Sequence, residues 1–202
     1  MIGIIDYGMG NLKSVTNSLN FIGVRSFISN DFNELKKADS LILPGVGAFK
    51  DAMRQIKQYE LDDFIVGAVK ENKPLLGICL GMQLLVEKSL EDGEHKGLGI
   101  IDGEVLPIEG VEKVPHMGWN QLSLIDDSPI WGDLKQPYVY FVHSYYVSTP
   151  PKNVIATVNY GGHKTVGIQK GRVYGLQFHP EKSGEEGLTI LRNFAIIGGE
   201  QL

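Results

Sequence analysis

The stretch Pro74-Leu-Leu-Gly-Ile-Cys79-Leu-Gly-Met-Gln-Leu-Leu85 leaves a folding chain few options. Leu75 to Ile78 is an apolar run that reads as a short strand buried on both faces. Met82, Leu84, Leu85 and Val86 suit a packed helix. Gly77 and Gly81 flank Cys79 where strand must turn sharply into helix. Such an elbow belongs to a sheet covered by helices, and it pushes the Cys79 side chain out over the strand end.

Cys79 is the only cysteine of the chain. At a helix start, unpaired backbone N–H groups and the positive end of the helix dipole favour thiolate, which is the nucleophilic form. The same N–H groups, beginning with Leu80, suit an oxyanion hole for acyl transfer. From this segment alone the competing reading is a small core residue with no chemistry.

The first half of the chain alternates strand and helix signals. Ile2 to Ile5 is a short apolar strand ending at Asp6, and residues 11–22 form an amphipathic stretch with Leu12, Val15, Leu19 and Ile22 on one stripe. Ser40 to Leu43 is another buried strand, closed by Pro44-Gly-Val-Gly47. One long helical pattern then runs through Met53, Ile56, Leu61, Phe64, Ile65 and Val69. Beyond the cysteine the pattern becomes β-rich: 103–108, 138–147, 154–159, 165–169 and 173–178 are separated by turn signals, and a helix over 185–197 closes the chain. We expect one α/β domain over residues 1–202, with a mainly parallel central sheet, helices on both faces and an antiparallel β extension. Reactive groups in such sheets gather beyond the carboxyl ends of strands, where Asp6 to Asn11, Pro44 to Gly47 and Cys79 all lie.

With 202 residues the chain is long enough for a substantial core. A net charge of −5 without Lys/Arg clusters argues against nucleic acid or an anionic membrane as partner. One cysteine excludes an intrachain disulfide framework, no apolar run reaches membrane-span length, and the N-terminus lacks signal-peptide features, so a cytoplasmic protein is expected. The five histidines show no ligand spacing, and we expect no metal. Gly8 and Gly10 fall short of a dinucleotide fingerprint, and we expect no cofactor.

A catalytic cysteine needs a base and a group to orient it. Val173-Tyr-Gly-Leu-Gln-Phe-His179-Pro-Glu181 ends a β-type run with His179 and Glu181 two apart, the spacing that puts both side chains on one face of extended backbone. Glu181 then holds one imidazole nitrogen and the other faces the thiol. From this segment alone an ordinary histidine closing a strand is the favoured reading. Pro44-Gly-Val-Gly47 offers backbone freedom, and N–H groups at Val46 or Gly47 suit a second oxyanion donor; a plain tight turn is the alternative.

Gly77-Ile-Cys79-Leu-Gly-Met-Gln83, the upstream Pro44-Gly-Val-Gly47 and the downstream Phe178-His-Pro-Glu-Lys-Ser183 resemble the class I (triad) glutamine amidotransferases. Asp6-Tyr-Gly-Met-Gly-Asn-Leu12, Pro115-His-Met-Gly-Trp-Asn120 and Tyr140-Phe-Val-His-Ser-Tyr145 are similar, more narrowly, to the glutaminase subunits of imidazole glycerol phosphate synthases. The motifs run in the same order over nearly the whole chain.

That resemblance implies a flavodoxin-like α/β fold and a glutaminase mechanism. Cys79 attacks the side-chain amide of glutamine, His179 shuttles protons and Glu181 orients it. Gln83 and backbone around Gly47, Ser144 and Tyr145 hold the substrate, and Glu91 meets its α-amino group. It implies as partner a (β/α)8-barrel cyclase, forming a heterodimer that converts PRFAR to imidazole glycerol phosphate and AICAR in histidine biosynthesis. Pro115, His116, Met117, Gly118, Trp119 and Asn120 then read as contact surface, with Lys182 and Asn11 beside them. The alternatives are the same chemistry serving a sugar-nucleotide-amidating synthase, or a stand-alone cysteine amide hydrolase.

Overall fold

The computed structural model describes residues 1–111, 113–125 and 127–201. Strands β1 (Ile2–Ile5), β2 (Ser26–Ser29), β3 (Ser40–Gly45) and β4 (Leu75–Cys79) alternate with helices α1 (Leu12–Phe21), α2 (Phe32–Leu35), α3 (Phe49–Gln58), α4 (Leu61–Lys70) and α5 (Leu80–Leu84). There follow β5 (Val86–Ser89), β6 (His95–Lys96), β7 (Ile101–Pro107), β8 (His116–Gln121), β9 (Ser123–Leu124), β10 (Tyr138–His143), β11 (Tyr145–Ser148), β12 (Val154–Asn159), β13 (His163–Lys170) and β14 (Val173–Leu176). Helix α6 (Gly184–Ile197) closes the chain.

The main sheet has the order β2-β1-β3-β4-β14-β13-β12-β9. Its first five strands are parallel, and β13, β12 and β9 continue it antiparallel. This is the expected mainly parallel sheet with an antiparallel extension. Neighbouring residues of each strand enter opposite cores, because side chains alternate across a sheet. Ile4, Ile42 and Leu76 pack with Val15 and Leu19 of α1 and with Ile190, Leu191 and Phe194 of α6. Ile5, Leu41, Leu43 and Leu75 pack with Phe49, Ile56, Leu61 and Ile65 of α3 and α4. Each such side chain, taken out of water, stabilises the fold by about 1.5–3 kcal/mol. Two smaller sheets, β11-β7-β5-β6 and β10-β8, stand beside the main one.

Three local expectations give way, and two elements lie outside them. The long helical pattern is two helices, parted at Glu60 in the left-handed region (φ 56°). Val86 leaves the helix after the cysteine, which ends at Leu84, and starts β5 instead. Residues 138–147 are two strands that part at Ser144 and join different sheets, β10 with β8 and β11 with β7. Strand β2 and helix α2 carried too little pattern to be read: β2 is a four-residue edge strand with only Ser29 buried.

The carboxyl ends of β1, β3, β4 and β14, neighbours in the sheet, open on one edge. Among the described residues, no helix is long and apolar enough to cross a membrane.

Candidate active site

Cys79 is the last residue of β4 and sits at φ 55°, ψ −111°, a conformation costly for any residue with a Cβ. The glycines around it explain how the turn is held. A Cβ on Gly81 would lie 1.8 Å from the Leu43 carbonyl oxygen, and one on Gly77 would lie 2.6 Å from that of Gly81. Backbone therefore packs on backbone, and the strain at Cys79 persists because its surroundings leave no other path. The helix that follows is only five residues long, so its dipole is a smaller aid to the thiolate than the sequence pattern suggested.

The base comes from the end of β14. His179 and Glu181 are buried side by side, with Nδ1 and Oε1 2.8 Å apart. Their meeting has a different cause from the extended-strand spacing expected. His179 is extended, but Pro180–Lys182 is a 3₁₀ turn that carries Glu181 back onto the imidazole. Ser183 locks the turn: its hydroxyl donates to the His179 carbonyl at 2.6 Å and accepts the Tyr140 N–H at 3.0 Å. Burial alone would push His179 down, but the Cys79 sulfur and the Glu181 carboxylate outweigh it and raise it to about 9. Nε2, the nitrogen coupled to the sulfur, has no partner of good hydrogen-bond geometry. Tyr7, two residues beyond β1, is buried and donates to the Pro44 carbonyl at 2.8 Å. Burial, and then the charge of Cys79, raise its hydroxyl well above the ordinary tyrosine range.

Above the sulfur lies a cavity of about 330 Å³ lined by Val46, Gly47, Cys79, Leu80, Gln83, Glu91, Pro115, Val142, His143, Ser144, Tyr145 and His179. Every residue expected at the substrate or the oxyanion hole is on this wall. A larger depression of about 800 Å³ around Lys36, Lys57, Asp62 and Glu71 holds no cysteine, serine or histidine and lacks the means for acyl transfer. Gln83 is buried, its Nε2 donating to Gln177 Oε1 at 2.9 Å and to the Tyr145 carbonyl at 3.4 Å. Glu91 uses Oε2 to accept the N–H of Phe49 at the start of α3, 2.7 Å away. That bond ties the Glu91 loop to the segment following Val46 and Gly47.

The 115–120 segment is a strand edge with two faces. Met117 and Trp119 are more than half exposed, and Tyr138 on the paired β10 extends the apolar patch. His116 corrects the expected contact surface: alternation turns it inward, where it is 3 % exposed and stacked between Phe141 and Tyr160 with ring centres 4.6 and 4.0 Å away. Gly118 and Asn120 are half-buried, and Pro115 lines the cavity. Lys182 is exposed on the turn after His179, and Asn11 is half-buried at the start of α1.

His116 instead belongs to a chain of hydrogen bonds with one direction. His143 Nδ1 faces the Tyr145 carbonyl at 2.8 Å and must donate. Burial drives His143 down to about 4, so it is neutral and its Nε2 accepts from His116 Nδ1 at 2.9 Å. His116, also lowered by burial, accepts in turn from Asn120 Nδ2 at 3.4 Å.

Sequence reasoning missed Gln177, Tyr7 and Ser183. Gln177 left a signal, a lone polar residue inside the apolar run 173–178, which is tolerated in a core only with partners. It is fully buried, and its Nε2 donates to Cys79 Sγ at 3.7 Å. Among the described residues, no group of three His, Cys, Asp or Glu is placed to hold a metal ion.

A model of the class-I glutamine amidotransferase family matches residues 3–197. The chain belongs to that family. It is 50% identical over 196 residues to "Imidazole glycerol phosphate synthase subunit HisH" of Oceanobacillus iheyensis, covering 96% of this chain and 98% of that one. It is 52% identical over 204 residues to the protein of the same name from a Geobacillus species, covering 98% and 97%. Among solved structures, one described as a glutamine amidotransferase superposes with a TM-score of 0.79 at 20% identity, covering 98% and 99% of the two chains. The structure of PurLQS from Thermotoga maritima gives 0.77 at 20%, covering 97% of each. At that identity the superpositions speak for the fold: this is a class-I amidotransferase sheet, with Cys79, His179 and Glu181 gathered at its carboxyl edge.

Proposed function

We propose that residues 1–202 form one amidotransferase domain that serves as the glutaminase subunit of an imidazole glycerol phosphate synthase in histidine biosynthesis. It works in the cytoplasm as a heterodimer with a (β/α)8-barrel cyclase. The near-full-length identity of about one half to subunits of that name carries this reading. The cavity geometry supports the chemistry.

The Cys79 sulfur attacks the amide carbon of glutamine, and the oxyanion that forms faces the N–H groups of Leu80 and of Val46 or Gly47. His179 Nε2 gives its proton to the departing amide nitrogen, and ammonia leaves a glutamyl thioester. Water attacks the thioester with neutral His179 as base, releasing glutamate and restoring the pair. Glu181 keeps Nδ1 protonated throughout. Gln83 Oε1 and the second oxygen of Glu91 remain for the substrate, the latter for its α-ammonium, with Ser144 and Tyr145 completing the wall. The apolar patch of Met117 and Trp119, with Pro115, Gly118, Asn120, Lys182 and Asn11 around it, is the surface for the barrel. Ammonia is thereby released next to its acceptor.

Glutamate release from glutamine, measured with and without the barrel subunit and its ribonucleotide ligand, tests this function. We expect low activity alone and strong stimulation in the complex; full activity in isolation contradicts the partner dependence. Cys79→Ala abolishes glutamine-dependent synthesis and leaves ammonia-dependent synthesis by the complex intact, whereas loss of both makes Cys79 structural.

A further inference from the structure

Gln177 lies inside the catalytic centre with no role in the mechanism above. Its amide orientation is dictated by a backbone carbonyl two residues removed from it in the network. The Tyr145 carbonyl can only accept, so the Gln83 atom facing it at 3.4 Å is Nε2. The same nitrogen faces Gln177 at 2.9 Å, so the Gln177 atom there is Oε1. The remaining atom, Nε2, is thereby turned to the Cys79 sulfur at 3.7 Å. His143 also donates to the Tyr145 carbonyl, which fixes the tautomer of His143 and through it the directions of the bonds from His116 and Asn120. Every proton from Asn120 to the sulfur is assigned: one run of donors, through His116 and His143, ends on the Tyr145 carbonyl, and a second, from Gln83 through Gln177, ends on the nucleophile.

We propose that Gln177 is a further catalytic residue: its side-chain N–H holds and stabilises the sulfur of Cys79 as thiolate, and Gln83 is the positioning residue that keeps that N–H aimed. The inference rests on Cys79 as nucleophile. A fully buried amide costs free energy unless its groups are paired, and here one of its donors is spent on the reacting atom. The donor is neutral, so it lets His179 take and return protons without competing for them. It also stays in place while His179 is neutral and the sulfur is held as thioester, so the sulfur later departs as thiolate toward a donor already aimed at it. The titratable groups around the sulfur are His179 with Glu181 behind it, Tyr7, and His143, Tyr145 and Glu91 on the cavity wall.

The test is the pH dependence of Cys79 alkylation by iodoacetamide in the isolated full chain, together with glutamine kinetics in the complex. Gln177→Met is expected to slow alkylation about tenfold at pH 7, to displace the profile to higher pH, and to lower kcat about tenfold with little change in KM. Gln177→Glu keeps the shape and the bond from Gln83 but sets a carboxylate against the sulfur, and its alkylation is expected to be slower still. In the parent chain the side-chain amide resonances of Gln177 are expected to move as Cys79 titrates and to be stationary in Cys79→Ala. Alkylation profiles of both variants that superpose on the parent's, or a Gln177 amide that ignores the titration, overturn the proposal. If the variants do not fold, the parent-chain titration decides alone. Retained glutaminase activity in Cys79→Ala removes the nucleophile reading instead, and the alkylation and resonance data still report on Gln177.

Discussion

Replacing Glu181 by Gln removes a charge and keeps a shape, so it isolates what the carboxylate does for His179. Both side chains are at most 2 % exposed, and their contact is 2.8 Å. In the native protein His179 is raised from 6.5 to about 9 against the pull of burial. A base whose folded value is raised binds its proton more tightly when folded. Its contribution to stability is fully present below the unfolded value, 6.5, and is lost as pH rises through about 9. The rise from 6.5 to about 9 corresponds to about 3 kcal/mol, shared between the Cys79 sulfur and Glu181. Glu181→Gln should therefore cost about 1–2 kcal/mol at pH 6 and progressively less toward pH 10, as the native protein loses the same contribution. Urea unfolding of both proteins at pH 6, 7, 8, 9 and 10 measures it, with the His179 ring proton followed by NMR to confirm that its titration moves to lower pH. Parallel stability curves over that range, or an unmoved His179 titration, refute the reasoning.

Three further outcomes follow from the structure. His143, driven down to about 4 chiefly by burial, must take up a proton in a place that disfavours it; native stability falls as pH drops from 6.5 toward 4. His143→Gln removes up to about 3 kcal/mol of that dependence, as read from unfolding at pH 4 to 7. Gly81→Ala forces a methyl to 1.8 Å from the Leu43 oxygen; it should cost about 3 kcal/mol or more in thermal unfolding and lower glutaminase activity by moving the elbow. Trp119→Ala, stripping a half-exposed aromatic from the 115–120 strand, should weaken binding of the proposed barrel partner by about tenfold or more in calorimetry.

Much of this molecule was legible in its amino-acid order because its central strands are short and almost wholly apolar. Ile2–Ile5, Ser40–Leu43 and Leu75–Ile78 need two covered faces, and that requirement yields a parallel sheet with helices on both sides. The Gly77 and Gly81 pair announced a tight turn at Cys79, and the packing distances explain why nothing larger fits. What stayed hidden depended on partners distant in sequence. Strand β2 is set by pairing with β1 more than by its own composition. His116 resembled a surface donor because its neighbours are Met117 and Trp119, yet its face is decided by the register of β8 against β10, which places it opposite His143. Gln177 was a single polar break in an apolar run, and its meaning emerged only when Gln83, 94 residues away, was found against it. Spacing does not encode such contacts.

The covalent intermediate tests the account most directly. The complex, mixed with glutamine and quenched in acid during turnover, is digested and analysed by mass spectrometry. We predict a glutamyl adduct on the peptide carrying Cys79, absent when Cys79 is replaced by Ala and absent without glutamine. Steady glutamate release with no adduct on that peptide, and with the Cys79→Ala protein still active, would contradict the account.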